Sequence, residues 1–172
     1  MNSNLESIFQ RRSVRKYQKR DVSEEALQDI LEAAMAAPSA CATDPWDFIV
    51  VRDQAARDAV AAALPYGKML SSAPVAIVVC GDMARAHAGE LSYMLQDCSA
   101  AIENLLLAAS KLGLGACWLG VHPRPDRIEA LKKLFCLPES VLPVAAIALG
   151  HPDESKEART RFKPERVHSG KW

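Results

Sequence analysis

The segment Leu91–Leu112 restricts the fold more than any other part of the chain. It is the longest helical pattern and holds few charges. Leu91, Leu95, Cys98, Ile102 and Leu105 recur on one side, and Met94, Ala101, Ala108 and Ala109 carry apolar character around the cylinder. A helix apolar on most of its circumference has to be buried on most of it. A central helix at a subunit interface would satisfy that pattern. Asp97 stands out, because a buried carboxylate is costly. It caps, pairs or lies beside a cleft. Tyr93 and Asn104 add polar capacity to the same helix.

The flanking segments alternate in type. Leu5–Arg11 predicts a short helix. Ser23 is suited to cap a second helix, with Glu24 and Glu25 in its first turn and an apolar stripe at Leu27, Ile30, Leu31 and Ala34. Pro38 and Ser39 end it. Phe48–Val51 predicts a strand core, Gln54–Leu64 an alanine-rich helix, and VAIVVCG after Pro74 a buried strand. Gly113–Val121 reads as helix stop, turn and strand. Pro123–Phe135 reads as an amphipathic helix and Val141–Leu149 as a last strand. Such alternation argues for a central sheet with helices on its faces, without giving the strand order. The 172 residues contain no repeat or long linker, so one domain over residues 1–172 is expected. Residues 153–172 are polar but end in an aromatic, which predicts an ordered arm.

Composition excludes several classes. Formal net charge is zero, so bulk attraction to nucleic acid or to a membrane surface is not expected. Apolar runs are too short for a transmembrane helix, and MNSNLESIFQRR lacks a signal-peptide core, so a cytoplasmic location is the expectation. The five cysteines form no CxxC pair and read as reduced thiols. The four histidines show no metal-ligand spacing, and no Ser-His-acid order is evident. No metal and no catalytic residue is nominated.

Four segments carry candidate chemistry. RRSVRKY offers Arg11, Arg12 and Arg15, whose guanidinium groups match phosphate oxygens, with the Ser13 hydroxyl beside them. Arg12 and Arg15, three apart, meet on a helical or turn-like backbone; otherwise they decorate a solvated helix end. AAPSACATDPWDFIVV turns a helix into a strand through Pro38, Ser39 and Pro45, and its Trp46 and Phe48 suit a core. GLGACWLG permits close backbone approach but is not a dinucleotide fingerprint, and a helix C-cap by itself explains Gly113. Arg159, Arg161 and Lys163 alternate, so an extended arm would turn all three to one side, toward a phosphate or toward water.

These segments, in this order with AAIENLLLAASKLGLGACWLG, VAAIALGHP and RFKPERVHSGKW, resemble the nitroreductase family of flavoenzymes over nearly the whole chain. The resemblance implies an α/β (α+β) three-layer sandwich whose central mixed, mainly antiparallel sheet is flanked by helices. It implies non-covalent FMN held at the interface of a homodimer, with the C-terminal arm reaching the partner subunit. By the same resemblance, Arg11, Arg12, Ser13 and Arg15 match the first FMN-binding motif, and Arg11, Ser13 and Arg15 are the stronger candidates for phosphate or ribityl contacts. Pro38, Ser39 and Ala40 match the segment beside the flavin ring. Leu119 and Gly120, with Trp118, match the region behind or beside it. Arg161 matches a late phosphate contact, with Lys163 the neighbouring alternative.

The implied activity passes electrons from NADH or NADPH to a nitroaromatic, quinone or related small acceptor by a ping-pong mechanism. Two positions depart from the family pattern. An asparagine and a glutamine usually precede the PW pair, and here those positions are Ala42 and Asp44. Ala42 has no amide to donate. An ionised Asp44 accepts but does not donate, and beside a reduced flavin it would repel the anion. This keeps two alternatives in view: an FMN enzyme of another reaction (dehalogenation, dehydrogenation or flavin fragmentation) and a non-catalytic flavin-binding protein.

Overall fold

In the computed structural model, which describes residues 2–172, four strands form one antiparallel sheet. They are β1 (Trp46–Val51), β2 (Val75–Asp82), β3 (Gly115–Gly120) and β4 (Val141–Gly150), in the spatial order β1-β2-β4-β3. The six α-helices among the described residues are α1 (Glu6–Gln10), α2 (Glu24–Met35), α3 (Gln54–Ala63), α4 (Lys68–Ser72), α5 (Leu91–Lys111) and α6 (Pro125–Leu134). Ser23 caps α2 as expected, its Oγ accepting the Ala26 N–H at 3.2 Å. The α4 turn was not legible in the sequence, since Pro65 and Gly67 read as breakers and hide the short helix that follows.

The two central strands explain the three layers. In β2, Val75, Ile77 and Val79 join a core with α2 and α5, while Ala76, Val78 and Cys80 join a second core with α3, α4 and α6. β4 divides the same way, with Ala145, Ile147 and Leu149 on the first side and Ala146 and Ala148 on the second. A strand buried on both faces reads as a continuous apolar run rather than an alternation. On α5, Met94, Cys98, Ala101, Ile102, Leu105 and Ala109 are fully buried. Its first turn is not: Leu91 and Tyr93 stay exposed. Gly113 lies just past α5 at φ 72°, and the Leu114 N–H donates to the Ala109 carbonyl at 2.8 Å, so it closes the helix by the left-handed turn glycine favours.

The RRSVRKY segment is a correction. It is extended, not helical. Ser13 bridges Ala116 of β3 in parallel, Tyr17 bridges Pro152 in antiparallel fashion, and Val14 donates its N–H to the Ala116 carbonyl at 3.0 Å. This edge gives the antiparallel sheet its mixed character. Gly115 makes the approach possible, because a Cβ there would fall 2.7 Å from the Val14 Cβ.

The thiols divide by burial. Cys80 and Cys98 are enclosed in the core, and burial pushes both up to about 12; Cys117 is also raised, chiefly by burial. Cys41 and Cys136 are exposed. Because the thiolate is the reactive form, a disulfide reagent should spare Cys80, Cys98 and Cys117 in the folded protein and titrate five thiols after denaturation. Rapid labelling of Cys80 or Cys98 in folded protein would contradict this packing.

Candidate functional site

The extended arginine segment and the C-terminal arm build one cavity of about 570 Å³. Arg11, Arg12, Ser13 and Arg15 line it from one side, and Lys156, Arg159, Thr160 and Arg161 from the other. No carboxylate among the described residues lines it. The arm is held by the Lys156 ammonium, which donates to the Ser13 carbonyl at 2.5 Å, by the Arg159 N–H on the Phe9 carbonyl at 3.2 Å, and by Arg12 Nη1 on the Glu157 carbonyl.

The cations are not equivalent. Arg11 Nε pairs with Glu103 of α5 at 3.1 Å, and Arg12 is committed to a carbonyl. Arg15 and Arg161 have no carboxylate partner among the described residues, and Arg15 Nη1 reaches only the Ser13 carbonyl, at 3.5 Å. Arg161 first, and Arg12 next, hold Arg159 below the ordinary arginine range through like charge. Such a gathering of cations is the electrostatic counterpart of a multiply charged anion.

Glu154 supports the cavity from outside. Its Oε1 accepts the Arg15 backbone N–H at 2.6 Å and pairs with Lys156 at 3.0 Å. The Arg15 N–H, and after it Lys156, hold the carboxyl below the usual carboxylate range. A depressed folded value contributes stability above the unfolded value and loses it as pH falls through the folded one. Wild type should therefore exceed Glu154→Gln in thermal midpoint near neutral pH, and the difference should vanish only below the ordinary carboxylate range. A difference that is constant down to strong acid would remove Glu154 from this role.

A second, more apolar cavity of about 340 Å³ adjoins the first. Tyr66, Met69, Trp118, Leu119 and Gly120 line it, together with Arg15 and Arg127. Arg15 thus belongs to both cavities. Tyr66 and Trp118 are exposed, and Leu119 is buried. Arg127 Nη1 donates to the Gly120 carbonyl at 2.7 Å, while its Nε is sealed from solvent without an acceptor among the described residues.

The bend at Pro38–Asp44 lies elsewhere. Its Ala40 N–H donates to Asp97 Oδ1 at 2.9 Å, so the buried Asp97 pairs with backbone, while Oδ2 finds no partner among the described residues. Arg11 meets the same helix six residues later, at Glu103, about 9 Å further along its axis. Pro38, Ser39, Ala40 and Ala42 line neither cavity, and Lys163 does not either. Cys41, Ala42 and Asp44 all take positive φ, at 53°, 53° and 45°. For residues with a Cβ that conformation costs about 1–2 kcal/mol each. The Ser39 hydroxyl, which donates to Asp44 Oδ1 at 2.5 Å and accepts the Asp44 N–H at 3.0 Å, ties the loop shut. The Asp44 carboxylate is thereby engaged within its own loop.

Sequence reasoning therefore identified most of the cationic cavity but missed Lys156, Glu154 and Arg127. Lys156 stands between Ser155 and Glu157 in a charged, polar stretch that carries no local pattern. Arg127 sits on the polar side of an ordinary amphipathic helix.

Comparison with known proteins agrees with this architecture. The nitroreductase family pattern matches residues 8–64 and 60–151. A candidate NADH dehydrogenase/NAD(P)H nitroreductase of Methanothermobacter thermautotrophicus is 48% identical over 168 residues, covering 98% of this chain and 87% of that protein. The crystal structure of a candidate protein of the same description from Parabacteroides distasonis is 41% identical, covers 100% of both chains and superposes with a TM-score of 0.93. A candidate nitroreductase from Desulfovibrio desulfuricans, solved in complex with FMN, is 35% identical over 100% of this chain and 99% of that one, with a TM-score of 0.85. With its three-layer sandwich and with relatives this similar along its whole length, the chain belongs to the nitroreductase family.

Proposed function

We propose that the protein is an FMN-dependent oxidoreductase that passes electrons from NADH or NADPH to a nitroaromatic, a quinone or a related small acceptor. The observation that carries this reading is the place of Arg15, which lines both the cationic cavity and the apolar pocket at Trp118–Gly120. A phosphate and a flat ring belonging to one molecule thereby have adjoining places. The FMN complex of the Desulfovibrio relative supports the same assignment.

The donor set suits FMN. Uncompensated guanidinium groups fit a phosphate monoester, which carries close to two negative charges near neutral pH. Arg15, Arg161 and Arg159 would hold the phosphate, with the Ser13 hydroxyl as an additional donor. Trp118, Leu119 and Gly120 would flank the ring. FMN supplies the two-electron chemistry when bound, and the side chains position and tune it. Acid–base residues are not required by that division of labour. Electron donor and acceptor would occupy the same open face in turn, which gives ping-pong kinetics.

The working unit in this reading is a homodimer. Phe162, Val167 and Trp172 of the arm are exposed, as are Met35 and Tyr93. Burial of such side chains against a second copy is favourable at roughly 25 cal/mol per Å². The Pro38–Ala42 bend, remote from the arginine cavity of its own chain, would complete the cavity of the partner. Light scattering on purified protein should give twice the chain mass.

The function is tested by following the flavin absorbance of FMN-loaded protein under anaerobic conditions. NADH or NADPH should bleach it, and a nitroaromatic or quinone should restore it. Retention of FMN without reduction by either donor would redirect the assignment to another flavin reaction. Failure to retain FMN would overturn it.

A further inference from the structure

Among the described residues, the apolar pocket contains one charged side chain that the phosphate reading does not use. Arg127 of α6 lines it together with Arg15, and no carboxylate among the described residues lines the pocket they share. It forms no ion pair with any described residue, although carboxylates stand close in sequence at Asp126 and Glu129. One nitrogen, Nη1, is fixed on the Gly120 carbonyl at 2.7 Å, and Nε is buried without an acceptor. A guanidinium that keeps its charge, is partly desolvated and lacks a counter-ion favours negative charge in the space it faces.

The bend cannot supply that tuning in the usual way. Ala42 has no amide, and the Asp44 carboxylate is held by Ser39. We propose that Arg127 is a positioning and tuning residue of the flavin-ring pocket: it fixes the Gly120 peptide and favours the reduced, anionic ring over the neutral oxidised one. The inference rests on the FMN reading of the adjoining cavities. It concerns the balance between two forms of one ligand, whereas the arginine cavity holds the phosphate common to both.

The test is a redox titration of FMN-loaded wild type, Arg127→Gln and Arg127→Lys against a reference dye, with the dissociation constant of oxidised FMN measured in parallel. Arg127→Gln should lose about tenfold in preference for the reduced form, the scale of one screened charge contact, which is about 30 mV for a two-electron couple. Its affinity for oxidised FMN should fall less than its affinity for reduced FMN, and the ratio of the two losses is what the potential reads. Arg127→Lys keeps the charge and should keep most of the potential. It also serves if the glutamine variant does not fold, since a lysine variant with the potential of free FMN would overturn the proposal. An unchanged potential in folded Arg127→Gln overturns the Arg127 assignment alone. A wild-type chain that does not retain FMN overturns the cofactor reading and this one together.

Discussion

If the FMN reading holds, Arg15→Ala should weaken FMN binding by roughly tenfold to a hundredfold, the effect of losing one charge-assisted contact of about 1.5–3 kcal/mol. The other arginines of its segment are partly spent inside the protein: Arg11 on Glu103 and Arg12 on a carbonyl. Arg15 has no carboxylate partner among the described residues, and its side chain borders both cavities. Its removal also leaves the fold intact, because the bridge to β3 is made by the backbone of Ser13 and Val14. Arg161→Ala should act in the same direction. Lys163→Ala should do little, since Lys163 lies outside the cavity. Fluorescence titration with FMN measures all three. Equal affinities for wild type and Arg15→Ala, or a larger loss in Lys163→Ala than in Arg161→Ala, would place the phosphate elsewhere.

Arg57→Met should destabilise the protein by about 3 kcal/mol. Arg57 is 8% exposed and has no acidic partner; carbonyl and amide oxygens surround it instead. Nε donates to the Arg52 carbonyl at 3.2 Å, Nη1 to the carbonyls of Ser71 (3.3 Å) and Ala73, and Nη2 to Gln54 Oε1 at 2.8 Å. The guanidinium thus ties the start of α3 to the end of α4 and the entry of β2. Methionine matches the bulk and strands the acceptors, each costing about 1–3 kcal/mol when buried. For a chain of this size the loss corresponds to a fall of about 6–12 °C in thermal midpoint. Lysine should not rescue it, because a single ammonium does not reproduce a planar fork. A melting curve unchanged by Arg57→Met would show that water satisfies these carbonyls without help. The clamp also bears on the site, since α4 carries Met69 and the preceding turn carries Tyr66, two walls of the apolar pocket.

The strands and long helices were legible because period and punctuation agree with burial. VAIVVCG is buried on both faces, Ser23 caps α2 through its side chain, and Gly113 ends α5 at positive φ. The backbone of RRSVRKY was not legible. Arginine spacing suggests a helical or turn-like backbone, and the extended edge is set instead by the pairing of Ser13 with Ala116, far along the chain. Gly115 was a partial signal, since a glycine beside a strand start announces close backbone approach. Charge alone left the arginine cluster between a phosphate site and a solvated helix end, and only the resemblance to a family favoured the first. The separation of the cluster from the Pro38–Ala42 bend was not legible, because it depends on where each segment meets α5. Lys156 and Arg127 carry no local pattern; their roles arise only from contacts to the Ser13 and Gly120 carbonyls.

The cationic cavity has walls from opposite ends of the chain, joined by contacts that span 143 and 145 residues in Lys156–Ser13 and Arg12–Glu157. A ligand bridging them would act as a removable clasp on almost the whole polypeptide, closing a loop whose entropy grows only slowly with length. At a hundredfold excess over its dissociation constant, such a ligand stabilises the folded chain by about 2.7 kcal/mol. The unclasped tail is then the first segment to open, and a protease that trims it would cut the empty protein while sparing the loaded one. Survival in a mixed population would thus report how much of the protein carries its ligand.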